Sequence, residues 1–154
     1  MANRELLFLA TVALPAALAA QHRLDAVVET KRFHEPGKGE LVDVNTSILG
    51  NTVMWTMDER GFVQAQVDAL ITLEQDGRII DYRKARVASP ERADTLQGDF
   101  IYQERFLLAP GSYAITIELH DANLSDTART YVHTPLVIPQ RGRDANLSDI
   151  MFTL

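Results

Sequence analysis

The stretch Val63–Ile79, VQAQVDALITLEQDGRI, decides the fold. Val63, Ala65, Val67, Ala69, Ile71 and Leu73 occupy alternate positions, against Gln64, Gln66, Asp68, Thr72 and Glu74. Successive side chains of a strand point to opposite faces, so the run reads as one long strand with a buried and a wet side. Asp76-Gly77 then precedes Ile79. Glycine accepts the positive φ of a tight turn, so this dipeptide predicts a hairpin into the next strand.

The same period extends in both directions. Tyr113, Ile115, Ile117 and Leu119 alternate with Ala114, Thr116, Glu118 and His120. Upstream, Val42, Val44, Thr46 and Ile48 alternate with Asp43, Asn45 and Ser47, and Val53, Trp55 and Met57 continue the pattern. Turn residues at Pro36-Gly37, Asp58–Gly61, Ser89-Pro90 and Pro110-Gly111 punctuate the rest. This predicts about seven to nine strands and no retained helix, an all-β antiparallel sandwich. In Leu107–Tyr113, LLAPGSY, a tyrosine enters a strand just after Pro110-Gly111. That is the placement of a tyrosine corner, whose hydroxyl bonds back to the connecting loop, and it makes the expected sandwich immunoglobulin-like.

Composition narrows the functional classes. The 154 residues carry a formal net charge of −6, and their basic residues are scattered, so the footprint of a nucleic-acid binder is missing. There is no cysteine, which removes disulfides, thiolate nucleophiles and Cys-ligated zinc. Leu6–Ala20, LLFLATVALPAALAA, is too short for a comfortable bilayer span. It follows Arg4 and ends in the small-x-small pattern Ala17-Leu18-Ala19. It reads as a cleavable signal peptide covering 1–19, so the product is expected to be exported, periplasmic or extracellular, with no transmembrane helix after cleavage. The sandwich domain is then expected over 20–143.

The six residues DANLSD occur twice, at Asp121–Asp126 and Asp144–Asp149. Asp-x-Asn-x-Ser resembles the start of an EF-hand loop, but the sixth position is Asp126 or Asp149 instead of glycine, and Val132 stands where the first copy needs a bidentate glutamate. A different calcium site on Asp121, Asn123 and Asp126 is one candidate. Carboxylate-rich loops more often turn and solvate. The first copy reads as a loop between strands, and the second as the entry to a strand over 144–154 that leads toward a further domain. Among the four histidines, His120 and His133 can fall on adjacent strands near Asp121, the best candidate metal or acid–base cluster. Two histidines on a wet sheet face are the commoner arrangement. Trp55 is the one aromatic suited to a sugar platform, although its alternation with Val53 and Met57 favours the core. His34-Glu35 lacks the second histidine of a zinc helix, and no Gly-x-Ser-x-Gly elbow occurs. No cofactor is implied.

Four stretches carry a family resemblance: Leu24–Ile48, Gly61–Pro90, Arg105–Asn123 and Asn146–Leu154. Together the chain resembles the N-terminal β-domain of bacterial GWxTD-domain proteins, which are exported. The Gly-Trp-x-Thr-Asp motif itself is absent here; in that family it lies in a later region, so the resemblance implies the front of a longer protein. It implies no catalytic residues. The expected function is therefore a non-catalytic module acting structurally or through a protein partner or downstream domain. The alternative is a carbohydrate- or peptide-binding module, calcium-assisted through the Asp121 loop.

Overall fold

The computed structural model describes residues 24–140 apart from positions 36, 37, 95 and 126. The signal-peptide reading, the second DANLSD, the Pro36-Gly37 turn and Asp126 lie outside the described residues. Among the described residues eight strands form, in order: β1 (Ala26–Glu35), β2 (Gly39–Ile48), β3 (Trp55–Met57), β4 (Val63–Gln75), β5 (Arg78–Ala88), β6 (Phe100–Leu108), β7 (Gly111–Asp121) and β8 (Thr130–Ile138). All pairings are antiparallel. One sheet has the order β1-β2-β6, and the other runs β5-β4-β7-β8. Short β3 pairs with the first residues of β4. There Val63 donates to Arg92 O on the edge that continues β5, so β3 occupies the opposite edge, beyond the end of β7.

These are the strand orders A-B-E and C′-C-F-G of an immunoglobulin-like sandwich, with β3 added before strand C. The alternation builds it. Ala65, Val67, Ala69, Ile71 and Leu73 of β4 and Tyr113, Ile115, Ile117 and Leu119 of β7 face inward and are buried. Val42, Val44 and Ile48 of β2 and Phe100, Phe106 and Leu108 of β6 meet them from the other sheet. The β4–β5 hairpin turns through Asp76 (φ 50°) and Gly77 (φ 73°), both left-handed as a two-residue hairpin loop of matching twist requires. Tyr113 Oη donates to Ala109 O at 2.8 Å, tying the first turn of strand F to the loop before it. Such a bond contributes about 1 kcal/mol net.

Thr46 is the one inward residue of β2 that conflicts with its surroundings. It is fully buried, and its Oγ1 has no hydrogen-bond partner. A desolvated hydroxyl without a partner costs more than it returns. Thr46→Val keeps the shape and removes the hydroxyl, so it is expected to stabilise the domain by about 1 kcal/mol. A urea midpoint at or below the wild type's would show that the hydroxyl is satisfied.

The edge strands β1, β5, β6 and β8 carry devices that oppose strand addition. On β5, Asp81 and Arg83 take inward positions and pair with each other. On β6, Tyr102 and Glu104 do the same, with the tyrosine hydroxyl donating to Glu104 Oε1 at 2.8 Å. On β1, inward Arg32 donates to Val137 O of β8 at 3.1 Å. On β8, Pro135 removes an N–H, as an edge strand permits. Thr130 Oγ1 also donates to Leu24 O at 2.6 Å, sewing the start of β8 to the segment before β1.

Candidate functional site

Three regions hold the side chains best suited to chemistry. The first is the end of β7, where the sequence singles out Asp121 and Asn123. Alternation turns Asp121 inward, and it is 4% exposed. Its Oδ2 accepts from Met54 N at 2.6 Å and its Oδ1 from Asn123 N at 3.0 Å. Asn123 Nδ2 then donates to Met54 O at 2.8 Å. Both backbone groups of Met54 are thereby held, one by the last residue of β7 and one by the loop after it, which fixes the approach to β3 against the end of β7. The carboxylate oxygens meet N–H donors, the arrangement of a clamp, whereas a calcium ligand set needs converging oxygens.

The second region is the outer face of the larger sheet. His120 and His133 both point there, but the ladder separates them. His133 is opposite Thr116, four residues along β7 from His120. At about 3.4 Å per residue that is roughly 14 Å along the strand, beyond the reach of one metal ion. His133 Nδ1 lies 3.1 Å from Thr116 Oγ1, and its ring stacks parallel to Tyr131 with centroids 6.5 Å apart. His120 sits opposite Asp68, whose carboxylate is held by Arg86 through contacts of 2.8 and 2.9 Å. That guanidinium keeps the Asp68 carboxyl below its ordinary range. The pair is therefore kept down to lower pH than a free aspartate would allow, and is lost only on acidification. Asp121, the neighbour of His120 in sequence, projects from the opposite face of the same strand. Among the described residues, no three histidine or carboxylate side chains gather closely enough to hold a metal ion.

Trp55 belongs to neither site. Its ring is half-buried against the core, and Nε1 donates to Gly50 O at 2.8 Å. Gly50 N in turn donates to Asp99 Oδ1 at 2.9 Å. A Cβ on Gly50 would stand 2.3 Å from Gly98 O, so the two backbones touch as only glycine allows. Sequence reasoning missed this knot, because the contact joins Gly50 to a loop nearly fifty residues later. Met57, expected on the inner face with Trp55, is 66% exposed where the chain leaves the sheet.

The third region is a cavity of about 570 Å³ at the end of the sandwich, lined by His34, Glu40, Leu107, Leu108 and Pro139 among others. Glu40 is buried there, with Oε1 3.0 Å from His34 Nδ1. In sequence His34 is tested only beside Glu35 and Glu40 does not stand out, because the cross-strand partnership of His34 and Glu40 depends on the β1–β2 register.

On the outer face of the smaller sheet, Asp43 is fully buried although alternation turns it toward water. Arg105 covers it through Nε at 2.5 Å and a second nitrogen at 2.8 Å, and Gln103 Nε2 adds a third donor at 2.8 Å. This carboxylate, like that of Asp121, is committed to the scaffold. No helix among the described residues is long and apolar enough to cross a membrane. No family model matches the chain, and no curated protein matches it in sequence.

Proposed function

We propose that the chain is a non-catalytic, exported β-sandwich module with a structural or protein-interaction role, the N-terminal part of a longer GWxTD-type protein. The Asp121–Asn123 clamp on Met54 carries the reading. The carboxylate and amide suited to a cation hold the backbone of Met54, and the two histidines are separated along the sheet. The blocked edges add a constraint on any protein partner. It meets a face or an end of the sandwich and does not extend a sheet. The Leu6–Ala20 run and the four family-like stretches support export and a longer parent protein.

Intact mass and N-terminal sequence of the product in its native cell test both parts. A mature N-terminus at Ala20 or Gln21 and a mass well above the 17.2 kDa of this chain are expected. A product still beginning at Met1 would overturn export. One slightly lighter than 17.2 kDa would leave the domain acting alone and overturn the longer parent.

A further inference from the structure

The outer face of the larger sheet carries a surface that neither the clamp nor the core explains. We propose that it is a binding strip for an extended, uncharged glycan laid across strands β5, β4, β7 and β8. Two adjacent cross-strand rows form the strip. One runs Lys84–Leu70–Glu118–Tyr131, and the other runs Tyr82–Thr72–Thr116–His133. Tyr82 is 63% exposed and Tyr131 53%. They stand at opposite ends, three strand spacings or roughly 14 Å apart, which is the span of a chain of sugars and more than one ring needs.

Beside the first row, on the side of the Asp68–His120 pair, lies a cavity of about 140 Å³ lined by Asp68, Leu70, Lys84, Glu118, His120 and Arg129. Its two carboxylates face two permanent cations, and on the same face Arg86 is offset by Glu74, so the formal charge of the face cancels. Glu118 is 3.1 Å from Arg129, and Asp68 is bound by Arg86 from the side. A balanced mixture of planar acceptors and donors suits hydroxyl groups, each of which donates and accepts at once. It does not favour a phosphate or a polyanion, which needs excess positive charge. The tyrosine rings supply flat apolar area with a polar tip, against which the C–H face of a pyranose can rest. A peptide is the poorer occupant. Its backbone amides seek a free sheet edge, and the edges here are protected.

The cavity is smaller than the few hundred Å³ of a closed small-molecule site. Affinity therefore comes from repeated contacts along a chain, and a monosaccharide should bind far more weakly than an oligomer. Saturation-transfer NMR and titration calorimetry with cellohexaose, with glucose and hexagalacturonate for comparison, test this on the 154-residue chain. Cellohexaose is expected to bind, glucose and the acidic oligomer to bind at least about tenfold more weakly. Tyr82→Ala and Tyr131→Ala should each weaken cellohexaose by about tenfold with melting unchanged. Ile101→Ala, an exposed position on the other sheet, should leave binding intact. No binding of cellohexaose by the folded wild type overturns the proposal. So does binding that survives loss of both tyrosines, or a preference for hexagalacturonate.

Discussion

Asp121→Ala is expected to lower the unfolding free energy by about 2–4 kcal/mol. The substitution removes two charge-assisted bonds at once, to Met54 N and Asn123 N, from a residue 4% exposed. Bonds to a charged group contribute about 1.5–3 kcal/mol each, and a buried N–H left without a partner adds its own desolvation cost. The sum is tempered because loss of the loop's order admits water to both donors. Asp121→Asn keeps one acceptor oxygen and should recover part of the loss. Urea denaturation reads the effect as a lower midpoint with an unchanged slope. A loss below about 0.5 kcal/mol would show that the clamp is ornamental. The wild type should also melt at the same temperature in calcium and in chelator. Calcium stabilisation that Asp121→Ala abolishes would restore the cation reading in place of the clamp.

The clamp marks the boundary of what alternation reveals. A period of two assigns faces correctly over Val63–Leu73, Tyr113–Leu119 and Val42–Ile48 because those strands are buried on one side and wet on the other. Asp76-Gly77 fixes one connection by backbone stereochemistry alone, and Tyr113 just after Pro110-Gly111 marks strand F by its bond to Ala109 O. Register across a loop is another matter. The segment between β7 and β8 carries no tight-turn dipeptide to set the pairing, so sequence allows His120 and His133 to be neighbours while the ladder holds them apart. Periodicity also says nothing about what covers an outward residue. Asp43 is turned to the wet face and still fully buried, because Arg105 and Gln103 on β6 lie over it. The tyrosines and charged pairs of the glycan strip come from four strands that are contiguous only in the sheet. No linear motif marks them. The visible signal was weaker: Tyr82 and Lys84 share the outward parity of their strand with Arg86.

Phe106→Ala is expected to cost about 3–5 kcal/mol, the largest effect of any single change proposed for this domain. Phe106 is the largest fully buried side chain among the described residues and is 1% exposed. Alternation on β6 points it between the sheets, beside Val42 of β2. On its far side the Arg83 guanidinium of β5 lies 5.1 Å from the ring centroid, held by Asp81 and by Glu104 at 4.0 Å. The ring therefore fills the core and also seats the cation that closes the seam between the two sheets. Truncation leaves a void along the seam and strips Arg83 of its aromatic support, and the two losses are coupled. Arg83→Met should cost less alone, and in the double mutant the losses should fall short of additivity by more than about 0.5 kcal/mol. Strict additivity would show that Arg83 and Phe106 act independently. The seam is also where structure meets the proposed binding strip. β5 is an edge strand that pairs with β4 alone, and Arg83 is the side chain that ties it across to β6. Tyr82 and Lys84 flank that arginine and point outward. Loosening the seam should therefore speed amide exchange in Tyr82–Arg86 more than in β7, and weaken glycan binding without touching a contact residue. Uniform acceleration across both strands would mean that Phe106 supports the whole core equally and that β5 owes nothing special to it.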